Sequence, residues 1–390
     1  MADSILVVNA GSSSVKFALF EVSPKQSPTI MKGLISGIGT SSRIEVKDAK
    51  GNELHSPRDL GAIKDHDAAF EALLNLISDR EENLVGAGHR VVHGGSDFTA
   101  PVRLDPSILD ALQALSPMAP HHQPHNISAI KALSERHPGL PQVACFDTAF
   151  HASQPAETQE LGLPREYADR GIRRYGFHGL SYESVLASLP EISGKPLPSR
   201  LVIAHLGNGA SMCAVKDGKC IATTMGFSTL DGIPMGTRSG AMDPGVLLHL
   251  MREDGAGLNE LEDLLYNRSG LLGVSGISSD MKVLLDSEQI EAKEAVSFYC
   301  YRISRELGSL AAALGGLDAL IFTGGIGENA APVRARVLQL SEWLGLQLDE
   351  MTNTRGNVCI STPESATEAW VVSTDEELTI ASHTRRTLAL

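Results

Sequence analysis

The sequence predicts an α/β protein made of two halves built on one plan. Three observations carry this. Residues 5–20, ILVVNAGSSSVKFALF, read as an apolar strand, a Gly/Ser turn and a second strand. Residues 200–215, RLVIAHLGNGASMCAV, repeat that design with a Gly/Asn/Ser turn, although the residues themselves are not repeated. Segments of helical spacing, residues 67–80 (DAAFEALLNLISDR) being the clearest, are interleaved with further strands.

Composition narrows the function classes. At 390 residues the chain suggests two or three domains, and 42% hydrophobic with 21% charged residues describes an ordinary soluble globular protein. A net charge of −14 argues against broad binding to nucleic acid or to an anionic membrane. The opening MADSILVV carries an acid where a signal peptide has a basic region, its apolar run is short, and no stretch reaches membrane-span length. Five cysteines, odd in number and without a C-x-x-C pair, read as buried thiols in a reducing cytoplasm.

Taken in order, the first hairpin turn, Asn9-Ala10-Gly11-Ser12-Ser13-Ser14 with Lys16 beyond it, gathers backbone N–H groups, hydroxyls, a carboxamide and an ammonium, the donors that hold a phosphate. An ordinary polar turn is the competing reading. Small antiparallel strands are expected over residues 29–60 and a helix over 67–80. The strand of residues 84–93 breaks at Gly94-Gly95. His89 and His93 have the spacing of helical zinc ligands, but on a strand they would stand about 13 Å apart. After a helix at 106–115, Ala119-Pro120-His121-His122-Gln123-Pro124-His125-Asn126 is expected to be irregular, being flanked by prolines. Residues 141–150 read as a strand ending in Asp147, and a carboxylate at a strand's carboxyl end is where α/β folds often place chemistry. The Pro- and Glu-rich residues 152–171 suggest a domain boundary.

The second half carries Arg173-Arg174-Tyr175-Gly176-Phe177-His178-Gly179, then the second hairpin, then a long loop at 225–245 holding Arg238 and Asp243. A packed helix is expected at 293–314 and a strand at 319–323. The following Gly325–Ala330 satisfies G-x-G-x-x-A, but only about 60 residues remain, too few for a Rossmann half-sheet with a substrate domain. No Walker pattern is present. Residues 370–378 read as a strand running into an acid-capped helix.

Several of these stretches together resemble the acetate kinase family: VNAGSSSVK at 8–16, GHRVVHGG at 88–95, FDTAFH at 146–151, RYGFHG at 174–179, HLGNGAS at 205–211, MGTR at 235–238 and TGGIGEN at 323–329. The resemblance runs from residue 5 to about 380. It implies duplicated ribonuclease-H-like domains, of the actin and sugar-kinase type, flanking a nucleotide cleft. The N-terminal acyl-substrate domain would be residues 1–150, completed by a helix at about 378–390. Residues 151–377 would form the nucleotide-binding and dimerisation domain of a cytoplasmic homodimer. The implied reaction is reversible transfer of the γ-phosphoryl group of ATP to acetate, giving acetyl phosphate and ADP with Mg²⁺, or Mn²⁺ as a second candidate.

By the same resemblance Arg90 and Arg238 draw two anions together, as positive forks must, and His178 donates to the phosphoryl group in flight. Asp147, Asn9 and Glu376 stand at the metal. Val92, His121, His122, Phe177 and Thr229 meet the acid. Ser12, Lys16, His205, Gly207, Asn208 and Gly209 meet phosphates. Asp280, Met281, Lys282, Gly324, Gly325, Ile326, Gly327 and Asn329 lie toward the adenosine. Four departures bear on this: His121 replaces Leu, Thr229 replaces Pro, Tyr182 replaces a supporting His, and Lys282 replaces Arg. A propionate or butyrate kinase would share every motif. A non-catalytic nucleotide sensor or chaperone-like ATPase would keep the hairpins and could dispense with Arg90, His178 and Arg238.

Overall fold

The structure is a computed structural model that describes residues 3–11, 14–23, 27–39, 41–59, 63–78, 83–356 and 358–390. It forms two compact units, Met1–Phe150 with Asp375–Leu390, and His151–Thr374.

The first unit runs β1 (Asp3–Ala10), β2 (Ser14–Glu21), β3 (Thr29–Ser36), β4 (Arg43–Asp48), β5 (Glu53–Asp59), α1 (His66–Ser78), β6 (Asn83–Val91), β7 (Val102–Arg103), α2 (Pro106–Ala114), α3 (Gln123–Arg136) and β8 (Gln142–Phe146). The strands make one sheet in the order β5-β4-β3-β2-β1-β6-β8-β7. The hairpin expected at the start pairs β1 with β2 antiparallel, and β1, β6 and β8 run parallel. β1 is buried at every residue after Asp3, as its unbroken apolar run demands of a central strand covered on both faces. Phe17, Leu19 and Met31 pack with Phe70 and Leu73 of α1 and Leu133 of α3 in one core.

Residues 119–126 depart from the irregular backbone expected of them. Gln123 opens the fourteen-residue α3, with Pro124 in its first turn, where the missing N–H costs nothing. Of the three histidines, His121 and His122 lie in the turn of residues 120–122 that precedes it, and His125 lies in the helix.

The second unit contains α4 (Ala156–Gln159), α5 (Arg165–Asp169), α6 (Gly179–Ser193), β9 (Arg200–Leu206), β10 (Ala210–Lys216), β11 (Lys219–Thr223), α7 (Pro244–Glu253), α8 (Leu258–Asn267), α9 (Gly270–Ser275), α10 (Met281–Leu285), α11 (Ile290–Leu314), β12 (Ala319–Thr323), α12 (Gly324–Asn329), α13 (Ala331–Leu340), α14 (Glu350–Thr354) and β13 (Glu368–Val371). Its sheet has the order β11-β10-β9-β12-β13, with β9 to β11 antiparallel and β9, β12 and β13 parallel. Removing β4, β5 and β7 from the first sheet leaves β3-β2-β1-β6-β8, the same order and the same strand senses. The duplication is therefore visible in the pairing itself: each unit holds a ribonuclease-H-like core. Residues 225–243 contain no helix or strand, as expected for the Arg238 loop. Four cysteines are buried, while Cys359 is half-exposed instead of buried as expected.

The chain closes with α15 (Glu376–Leu388), which packs on β6, β1 and β8 of the first unit. Gly88 permits this approach, since a Cβ there would lie 2.6 Å from Ile380. Asp375 caps the helix, accepting from the Leu378 N–H at 2.9 Å. Acids fill its first turn and Arg385 and Arg386 its last, matching the helix dipole.

Candidate active site

In the first unit, the carboxyl ends of three adjacent parallel strands deliver one polar cluster. β1 ends beside Asn9, β6 beside Arg90, and Asp147 follows β8. Arg90 donates from Nε to Asp147 Oδ1 at 2.9 Å, from Nη2 to Oδ2 at 2.5 Å, and from Nη1 to Asn9 Oδ1 at 3.2 Å. Burial works against the Arg90 charge, but Asp147, with Glu376 and Glu377 beyond it, outweighs that and holds the guanidinium above its usual range. Burial raises the Glu376 carboxyl; Arg90 pulls it back and the Asp147 charge pushes it further up.

Asn126 was not among the sequence candidates, yet it braces this cluster. Its Nδ2 donates to the Ala10 carbonyl at 2.8 Å, and its Oδ1 accepts from the Val92 N–H at 3.0 Å. Val92 is buried, His122 half-buried, and His121 and Lys16 exposed. Ser12 lies outside the described residues. The hairpin tip is held by a backbone bond from Gly11 to Ser14 at 2.8 Å, and His66 Nε2 meets the Gly11 carbonyl at 2.6 Å.

In the second unit the other cluster forms around His178, which sits at φ 61° ahead of α6. Its Nδ1 lies 2.8 Å from Ser211 Oγ, and the Tyr182 hydroxyl lies 2.5 Å from the same Oγ. The His178 ring stacks on His205 at 4.4 Å, and His205 Nδ1 is 2.8 Å from Ser181 Oγ. The second hairpin supplies the floor. A Cβ on Gly209 would lie 3.2 Å from Arg238 Nη2 and 3.4 Å from His178 Nε2, so the two nitrogens converge over bare backbone. Arg238 is steadied by donating to the Thr229 carbonyl at 3.0 Å. Its loop is tied down by Arg174, which meets Asp231 at 2.9 Å, and by the Gly236 N–H, which donates to the Asn208 carbonyl at 3.2 Å. Phe177 is buried, and its carbonyl is 2.9 Å from His151 Nε2.

Tyr182 and Ser211 form a relay that the sequence did not disclose. Tyr182 stands in place of the supporting histidine that the resemblance implies, and α6 brings its hydroxyl to Ser211, the residue that meets His178. Ser211 lay inside the HLGNGAS stretch, and its hydroxyl was the available signal. Ser181 gave no signal of its own.

Among the adenosine-side candidates, Asp280 caps α10 by accepting from the Lys282 N–H at 2.8 Å; Met281 is buried and Lys282 exposed. Gly324 begins α12 with φ 78°, Gly327 is buried, and Ile326 is half-buried. Asn329 Nδ2 donates to the Gly325 carbonyl at 2.9 Å, both residues being exposed. Gly207 donates to the Gly209 carbonyl at 3.1 Å, closing the second hairpin turn.

Residues 4–382 match the model of the acetokinase family. A relative described as acetate kinase from Rhodopseudomonas palustris is 50% identical over 99% of this chain and 98% of its own length. The crystal structure of Porphyromonas gingivalis acetate kinase is 36% identical, with a TM-score of 0.88 over 99% of this chain and 100% of that one. A propionate kinase structure from Francisella tularensis is also 36% identical, with a TM-score of 0.91 over 98% and 99% of the two chains.

Proposed function

The chain belongs to the acetokinase family, and from that premise we propose how its residues carry phosphoryl transfer between ATP and acetate. The enzyme is a phosphotransferase with a carboxylate acceptor; forward, it makes acetyl phosphate and ADP. The observation that carries the reading is the convergence of His178 Nε2 and Arg238 Nη2 over the Gly209 backbone. A transferring phosphoryl group spreads charge over its equatorial oxygens, and fixed donors aimed at one point are what stabilise it.

The relay explains the protonation of His178. With Tyr182 as the donor to Ser211, the Ser211 proton is left for His178 Nδ1 and the ring proton belongs on Nε2, the nitrogen near Arg238; this is the tautomer we propose. Arg90 and Asn9 serve the acceptor acid and its phosphate on the first unit. A carboxylate and a phosphate repel each other without cations to neutralise them, and that is the work we propose for Arg90 and Arg238.

The reaction uses a divalent cation, which we assign as Mg²⁺. Asp147, Glu376 and the Asn9 carbonyl oxygen are hard oxygen donors, and the mutual repulsion of the two carboxylates suits a cation near them. When bound, it offsets charge on the nucleotide phosphates. The first unit handles the acyl substrate and the second the nucleotide, through Asn208, Gly325, Ile326 and Asn329.

We also assign a homodimer and a cytoplasmic setting. α7 buries none of its residues and exposes Val246, Leu248 and Met251, an apolar face suited to a second copy. Propionate is the second reading, favoured by the propionate kinase structure and by Thr229, whose open side chain stands in place of a proline ring.

ADP release measured with and without acetate tests the function, together with Arg238→Ala. Release should depend on acetate. The variant should lose at least 100-fold in kcat/KM, the roughly 3 kcal/mol of a clamp on the transferring group, while nucleotide affinity is kept. ADP release indifferent to acetate would instead indicate a plain ATPase, and full activity of folded Arg238→Ala would remove that residue from the site.

A further inference from the structure

We infer that His151, Cys213 and Cys220 form a buried site for one thiophilic divalent cation, of which Zn²⁺ is the type. The three residues come from separate segments: His151 from the short 3-10 helix Ala149–Ser153 ahead of α4, Cys213 from β10 and Cys220 from β11. All are buried, Cys213 and Cys220 at 0% exposure. His151 Nδ1 lies 3.1 Å from Cys220 Sγ, the two sulfurs are 3.4 Å apart, and all three donor atoms lie within 4.8 Å of one another. With two sides of 3.1 and 3.4 Å and a third of at most 4.8 Å, no donor atom need lie more than about 2.4 Å from a common point, close to the length of a zinc–sulfur bond.

The imidazole is already aimed. Its Nε2 is 2.9 Å from the Phe177 carbonyl, so that nitrogen donates and Nδ1 is left facing the sulfurs as an acceptor. A backbone carbonyl on the far nitrogen is the support that ligating histidines ordinarily have. The Tyr182 ring, edge-on at 5.6 Å, fixes the plane.

Two thiolates balance a divalent charge, so the loaded site is neutral, as burial requires. Soft sulfur donors select such an ion over Mg²⁺. A disulfide fits less well. Cys213 and Cys220 are not ladder partners, since Cys213 pairs with Thr223 and Cys220 with Val215, and their sulfurs stand 3.4 Å apart, well beyond the roughly 2.05 Å of a formed bond. A metal spans the gap without closing it. Entry is through β11, the edge strand of its sheet.

The test is Co²⁺ and Zn²⁺ loading of the full chain, purified without chelator. Wild type should take up about one Co²⁺ per chain and show the sulfur-to-cobalt charge-transfer band of a thiolate site. Cys213→Ser and Cys220→Ser should each abolish the band, while Cys300→Ser, a buried thiol elsewhere, should keep it. X-ray absorption on zinc-loaded wild type should give a shell of two sulfurs with nitrogen, and this decides the matter if either serine variant fails to fold. A shell without sulfur, a band surviving in both serine variants, or no band in wild type would overturn the site. So would three titratable thiols in place of five after purification without reductant, since the pair would then be a disulfide.

Discussion

Arg90 and Asp147 meet in a two-point ion pair at the ends of adjacent parallel strands, Nε to Oδ1 at 2.9 Å and Nη2 to Oδ2 at 2.5 Å. The pair keeps a cation and an anion poised where the fold places chemistry, each holding the other in one geometry. Its side chains are 18% and 2% exposed, so neither charge is easily left alone.

Asp147→Asn should therefore cost both stability and activity. Leaving Arg90 without its main counter-charge destabilises the unit by about 3 kcal/mol. On the proposed role, the variant should also need a higher Mg²⁺ concentration for half-maximal rate. A Mg²⁺ titration of the folded variant that overlays wild type would remove Asp147 from the metal.

Tyr182→Phe isolates the relay. It deletes one hydroxyl and keeps the ring on His151, so folding should be preserved. One hydrogen bond of about 1 kcal/mol predicts a kcat lower by roughly fivefold, with KM for ATP unchanged. Unchanged kcat in steady-state assays would leave Ser211 alone holding His178.

His89 and His93 predict an acid limb in stability. Burial pushes each imidazole down to about 4, from 6.5, with Gln142 partly opposing this at His89. Both are neutral in the folded state, so their contribution is fully present above pH 6.5 and is lost as pH falls toward 4. Each can remove up to about 3 kcal/mol across that window. Urea unfolding at pH 7 and pH 5 should show the loss, and NMR titration should find His89 neutral at pH 6. A charged His89 at that pH would contradict the assignment.

Much of the fold was legible because its signals are local. Each hairpin is a Gly-rich turn between apolar runs, and the acid-capped α15 announces itself through Asp375 to Glu377. α3 was hidden because His and Pro composition masked a first turn that tolerates proline. The strand ends carrying Asn9 and Asp147 were readable from where apolar runs stop. The relay was not, since Tyr182 and Ser211 are 29 residues apart and meet only when α6 packs on the sheet of β9 and β10. The same holds for His151 and Cys220, 69 residues apart.

Hydroxamate formation from ATP, Mg²⁺ and hydroxylamine with acetate, propionate or butyrate tests the central claim, phosphorylation of a short carboxylate. Hydroxamate should form with acetate first, propionate second and butyrate poorly. One methylene in an acyl pocket is worth only about 1–3 kcal/mol, so kcat/KM should fall by roughly 10- to 200-fold per step. Propionate or butyrate outrunning acetate would move the assignment to the longer acid. No hydroxamate from any acid, in protein that binds ATP, would contradict the account.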